Sequence, residues 1–184
     1  LSSINKKHNY TLEKFVMKKF RSGILVFLYI LGAASCEKDD ICVEGNTPLM
    51  VIEFFDIDNP DTPKNVTTLR VVGQGQTVTV NTVADRAGLN KITVPLKTVG
   101  DTTSFLFISN SADNEDGFEI GNIDTVTFNY ARLEEFKSRA CGFIVNYEEL
   151  AGSFQTDTEN WIQDIEIIRS QISNADSTHV KILH

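Results

Sequence analysis

Residues 123–131 read IDTVTFNYA, and their alternation sets the fold class. Val126, Phe128 and Tyr130 fall on one side of an extended chain, while Thr125, Thr127 and Asn129 fall on the other. Apolar and polar residues repeating with period two describe a strand with one face in a core and the other towards water. Thr, Val, Ile and Phe recur through the rest of the chain, so the same reading extends outward.

Upstream, LMVIEFF (49–55) is a short apolar run ended by the turn-rich DIDNPDTP. VTTLRVV (66–72) and QTVTVNTV (76–83) flank Gly73-Gln74-Gly75, which predicts a hairpin. KITVPL (91–96) carries Pro95, a sign of a sheet edge or a strand end. TSFLFIS (103–109) reads as a central strand. Downstream, RLEEFKSRA continues the strand of 123–131 and CGFIVNYEEL (141–150) follows it. WIQDIEIIRS (161–170) fits both a helical and a strand period, and its isoleucines favour the strand. HVKILH (179–184) adds another strand. About nine short strands, turns every 8–12 residues and no amphipathic helix predict a single antiparallel β-sandwich domain over residues 47–184.

The first 46 residues obey a different pattern. Ile24 to Ala34 (ILVFLYILGAA) carries no charge and follows Lys18, Lys19 and Arg21. A basic segment, a short apolar core and small residues at its exit describe a bacterial signal peptide over residues 17–35. A spanning helix wants about 20 apolar residues, so an uncleaved interfacial anchor or a buried helix is the alternative. A complete signal starts at Met17, and residues 1–16 are expected to be an upstream extension foreign to the native protein.

Ala33-Ala34-Ser35-Cys36 resembles the lipobox of bacterial lipoproteins, with Ala in place of Leu three residues before the cysteine. The resemblance implies cleavage before Cys36, a lipid on its thiol, and residues 36–46 as a tether. Two or more acyl chains hold a protein stably on a membrane where one does not. Glu37, Lys38, Asp39 and Asp40 resemble the export tag of surface lipoproteins of the Bacteroidota, which implies an outer-membrane lipoprotein facing the cell surface; a plain tether facing the periplasm is the alternative.

The other two cysteines, Cys42 and Cys141, form an even pair in an exported chain, which predicts a disulfide. Closing about 100 residues would contribute on the order of 4–5 kcal/mol in the chain-entropy model. Two buried free thiols are the alternative.

Chemistry is sparse. From Cys36 onward there are eleven basic and twenty-four acidic residues, a formal net charge of −13, which disfavours nucleic acid as a partner. His179 and His184 lie five residues apart, on opposite faces of a strand. No G-x-S-x-G elbow appears, and Gly73-x-Gly75 lacks the rest of a nucleotide loop. Two acidic loops are the metal candidates: Asp56, Asp58 and Asp61, then Asp113, Glu115, Asp116 and Glu119. Clustered carboxylates suit Ca²⁺, although neither loop has the EF-hand order, and no cofactor is otherwise expected.

Taken together, CEKDDIC, LRVVGQGQ, FISNSADNEDGFEIGNIDTVTFNYA, RACGF and NWIQDIEI resemble an uncharacterised family of small Bacteroidota lipoproteins. The resemblance implies one exported domain and supplies no catalytic residues. The expected function is a lipid-anchored, non-catalytic binding or assembly module with an envelope or surface partner. A displayed carbohydrate- or calcium-binding accessory module is the alternative.

Overall fold

The computed structural model describes residues 46–184, which fall in a compact unit spanning Cys42–His184. Nine strands form among them: β1 (Met50–Phe55), β2 (Val66–Gly73), β3 (Ala87–Leu89), β4 (Lys91–Val94), β5 (Thr102–Ser109), β6 (Asn122–Ser138), β7 (Gly142–Phe154), β8 (Asp164–Ile167) and β9 (Val180–Leu183). They build a four-stranded sheet in the order β4-β1-β9-β8 and a five-stranded sheet in the order β3-β2-β5-β6-β7. No helix occurs among the described residues.

The alternation in β6 does what its period requires. Val126, Phe128 and Tyr130 are buried, Thr125 and Thr127 half-buried, and Asn129 exposed. The buried set meets Phe105 and Phe107 of β5, Leu69 and Val71 of β2, and Val145 and Tyr147 of β7 in one core. Met50, Ile52 and Phe54 of β1, with Val180 and Ile182 of β9, supply the opposite layer. Phe54 reaches across to Phe107 with ring centroids 6.3 Å apart, edge to face. Burying such a ring contributes roughly 2–3 kcal/mol, so the sandwich is held by its inner faces. Tyr147 is fully buried yet satisfied, since its hydroxyl donates to the Leu96 carbonyl.

The all-β sandwich of nine strands expected from the sequence is present and mostly antiparallel, and two details differ. The sandwich is not wholly antiparallel, because β1 pairs with β9 in parallel, Ile52 facing Val180 and Phe55 facing Leu183. Sheet neighbours over a hundred residues apart leave no local signature of their direction. Residues 76–83 do not form the second arm of a hairpin. Only Thr79 bridges to Val72, and the chain turns instead, with the Val83 amide bonded to the Val80 carbonyl. Val78 is 69% exposed while Val83 is buried, so this segment covers the core with loop side chains. The β3 strand takes its place beside β2.

The β6–β7 hairpin is the longest element and overruns β5. Pairing of β5 with β6 ends at Thr102 opposite Asn129, whereas β6 continues with β7 to Ser138 opposite Gly142. A bulge between Asn129 and Ala131 marks the point where the hairpin leaves the body of the sheet. At about 3.3 Å per residue, β6 spans about 50 Å. The β5–β6 loop therefore lies at one end of the molecule and the β6–β7 turn at the other.

Candidate functional site

The β5–β6 loop, residues 110–121, is the most elaborately held segment. Its outer part is a small closed turn. Asn114 accepts hydrogen bonds on its side chain from the amides of Asp116 and Phe118, at 3.0 and 2.8 Å. Its own amide donates to the Phe118 carbonyl, and the Ile120 amide donates to Ala112. Gly117, at φ +81°, supplies the left-handed residue the turn needs.

The base of the loop is fixed by Glu119. Its carboxylate accepts from the Ser111 hydroxyl at 2.7 Å, the Gly121 amide at 2.9 Å, the Ala112 amide at 3.0 Å and Arg70 at 3.3 Å. The Arg86 guanidinium lies 3.5 Å away and is also paired with Asp113, while its Nε donates to Ser111. Burial pushes the Glu119 carboxyl up, but the Ser111, Gly121, Ala112 and Arg70 donors outweigh it and hold the group at about 2. Arg86 lowers Asp113 likewise. Asp85 closes the set, 3.6 Å from Arg70 Nε. That Nε is buried without a hydrogen bond, so the contact is an ion pair alone.

Backbone strain gathers at the same place. Thr68, Arg86 and Asn110 have φ of 39°, 54° and 52°, a region L-residues rarely adopt. Their neighbours interlock: the Asn110 amide donates to Thr67, Ser111 to Thr68 and Arg86 to Leu69. Strained residues persist where the surroundings over-determine them, and they collect at functional sites. What this foundation supports is an exposed apex. Phe118 is 69% and Ile120 62% exposed, flanked by the exposed acids Glu115 and Asp116.

A second polar feature lies near the β6 bulge, a recess of about 560 Å³ lined by Asp101, Thr102, Asn129, Arg132 and Glu149 among others. Arg132 pairs with Asp101 at 2.8 Å and donates to the Thr98 carbonyl. Glu149 has φ +54°. The arginine and the aspartate neutralise each other, and the Thr102 hydroxyl donates to the Asn129 side-chain carbonyl at 2.7 Å.

The metal candidates do not assemble. Asp56 is paired with Lys64 at 3.1 Å, Asp58 and Asp61 are exposed in their turn, and Glu115 and Asp116 are exposed at the apex of the loop. Asp113 and Glu119 are occupied by guanidinium. Among the described residues no group of three or more His, Cys, Asp or Glu side chains is placed to hold a metal ion. The grouping read from the sequence followed proximity along the chain, whereas the arginines that take Asp113 and Glu119 come from β2 and from the turn before β3.

His179 is buried and accepts the Val51 amide on Nδ1 at 3.0 Å. His184 packs edge-on against Phe54 and Trp161. Both are parts of the core wall. Trp161 packs against the core, and its indole donates to the Phe107 carbonyl, so it offers no open platform for a sugar ring. Cys141 lies at the β6–β7 turn and is engaged. Cys36, Glu37, Lys38, Asp39, Asp40 and Cys42 lie outside the described residues. The chain leading into β1 passes beside β7, where the Val145 amide donates to the Thr47 hydroxyl at 3.2 Å.

Sequence reasoning missed Arg70, Arg86 and Arg132. The first two are isolated cations beside β-rich stretches, and only the fold brings them to the acidic loop. Comparison with curated proteins and with solved structures gives no match. A family model does match residues 68–184, from within β2 to the end of β9, and the chain belongs to that family of unknown function, DUF6452.

Proposed function

We propose that this protein is a lipid-anchored, non-catalytic binding module of the bacterial envelope, and that its contact element is the loop 112–120. The observation that carries the reading is the pairing of a rigid base with an apolar apex. An ionic network and three strained residues hold a loop whose summit is Phe118 and Ile120. Loops fixed on a rigid scaffold are the usual carriers of recognition. Large apolar residues ringed by acids suit a partner surface with an apolar depression and a cationic rim.

The anchor belongs to the same proposal. Signal peptide, lipobox and the Glu37–Asp40 tag support a mature chain that begins at acylated Cys36, of Bacteroidota type, on the outer membrane and facing the cell surface. A Cys42–Cys141 disulfide fits this arrangement. In the sequence Cys42 is five residues before Thr47 and Cys141 four before Val145, and Thr47 and Val145 are joined by a hydrogen bond.

The test is fractionation of cells making the full chain, with protease shaving before and after the outer membrane is opened. The expected result is a membrane-bound protein digested on intact cells and released by Cys36→Ser. A wild-type protein found free of membranes refutes the anchor. For the loop, a photo-crosslinking residue at position 118 is expected to give one discrete adduct that Ile120→Ser abolishes without changing Tm. An adduct indifferent to Ile120, or none, refutes the contact element.

A further inference from the structure

The apex of the β6–β7 hairpin carries a second exposed apolar feature, at the far end of β6 from the contact loop. Phe136 and Phe143 face each other across the strands, with ring centroids 5.3 Å apart, edge to face. They are 56% and 68% exposed. Val145, two residues further along β7 on the same face, is buried in the core. The pair is thus the outward continuation of the inner face of the sandwich, past the point where the opposite sheet covers it. Between the two rings the chain reads KSRACG; Lys137 is paired with Glu135 at 2.7 Å, which leaves Arg139 as the basic residue of the turn that no ion pair among the described residues engages, in a chain whose residues from Cys36 onward carry a net charge of −13.

We propose that this apex rests in the membrane interface, its two phenylalanine rings among the lipid headgroups and upper acyl chains, and Arg139 beside lipid phosphates. The inference rests on the reading that Cys36 is acylated. Ten residues separate Cys36 from Thr47, and Thr47 is bonded to Val145 on the hairpin arm. At about 3.5 Å per residue the tether reaches less than about 40 Å, so the bilayer lies within reach of this end of the molecule. Phenylalanine on the apolar side of a surface-bound element buries at the boundary between headgroup and acyl chain, and basic residues are drawn to anionic lipid. A hairpin docked there stands β6 off the membrane and carries the loop 112–120 about 50 Å away.

The experiment places a tryptophan at the apex of the full mature chain. Phe143→Trp and, separately, Phe136→Trp are purified from membranes and put into phosphatidylcholine–phosphatidylglycerol vesicles, with plain or brominated acyl chains. Trp161, packed against the core, is the internal reference, and the mass of the N-terminal peptide reports acylation. Brominated lipid is expected to remove most of the added emission in both variants and to leave the Trp161 emission of the wild type unchanged. An acylated chain whose added tryptophan is not quenched overturns the apex contact and leaves the anchor standing. If that tryptophan is also shielded from acrylamide, a protein partner covers the apex instead. An unacylated mature chain overturns the anchor, and the apex contact with it.

Discussion

Glu119→Gln tests whether the carboxylate beneath the contact loop is the keystone it looks like. The wild-type group is held at about 2 in the folded protein against an ordinary 4.5. At 1.36 kcal/mol per unit, that difference corresponds to about 3 kcal/mol of stability. The side chain is 18% exposed, which leaves little room for solvent screening. A carboxyl depressed on folding contributes its full stability above about 4.5. The contribution falls as the pH drops below that value and is gone near 2. Glutamine keeps the shape and one carbonyl acceptor but removes the charge opposite Arg70 and Arg86. The expected loss at neutral pH is about 2–3 kcal/mol, on the order of 10 °C in Tm for a domain of this size. The assay is urea unfolding of wild type and variant at a series of pH values from 7 to 2.5. Glu53, Asp56, Asp113 and Glu135 are also lowered in the fold, so both proteins weaken in acid. The difference between them isolates Glu119 and is expected to shrink steadily below pH 4.5. A difference that stays constant across that range would refute the charge argument and leave only lost packing.

Other consequences are as direct. Gly121→Ala puts a Cβ 2.7 Å from Ile108 Cγ2 and 2.8 Å from both the Ser109 carbonyl oxygen and Ser111 Cα; two of the three are backbone, and overpacking of about 3 kcal/mol is expected as a lower urea midpoint, with an unchanged midpoint refuting it. Glu149→Gly removes a side chain from a left-handed backbone position and is expected to raise stability by about 1 kcal/mol, read as a higher urea midpoint; a lower midpoint would mean that side-chain contacts outweigh the strain. The His179 ring is expected to titrate below the ordinary 6.5 in an NMR pH series, because burial and then Arg169 disfavour its charged form, against an opposing bond to Asn174. Stability from this neutral ring is complete above 6.5 and declines as the pH falls through its folded value, and a titration at or above 6.5 would refute the assignment. Millimolar Ca²⁺ or a chelator is expected to leave Tm unchanged, and a rise with Ca²⁺ alone would restore the metal reading.

The legible parts of the fold were those written in local pattern. β6 declares itself through Val126, Phe128 and Tyr130, and β4 ends before Pro95 at a sheet edge as its proline suggests. The ambiguous stretch 161–170 resolves into coil and the four-residue β8, its isoleucines half-buried at 165 and 167. Residues 76–83 misled because Val-Thr alternation satisfies a strand period whether or not a partner is free to pair. The edge of β2 is taken by β3, and Val80 and Val83 reach the core three residues apart through a turn. The parallel placement of β9 beside β1 is set by the whole path of the chain, and no window of sequence contains it.

The same distinction between local and assembled information explains the acidic loop. Asp113 and Glu119 stand six residues apart and look like a cation site, whereas the cation that Glu119 meets on Arg70 comes from 49 residues away. A guanidinium differs from Ca²⁺ in what it asks of a loop. Calcium draws six to eight oxygens around one point, while arginine offers a planar fork that can join two carboxylates and a hydroxyl side by side. Arg86 does this with Asp113, Glu119 and Ser111. The loop is therefore held by groups that are always charged and covalently present. Glu115 and Asp116 are left to solvent beside Phe118. Acids that hold the loop and acids that ring its apex are thus separate sets: Asp113 and Glu119 are paired with guanidinium, and Glu115 and Asp116 face solvent.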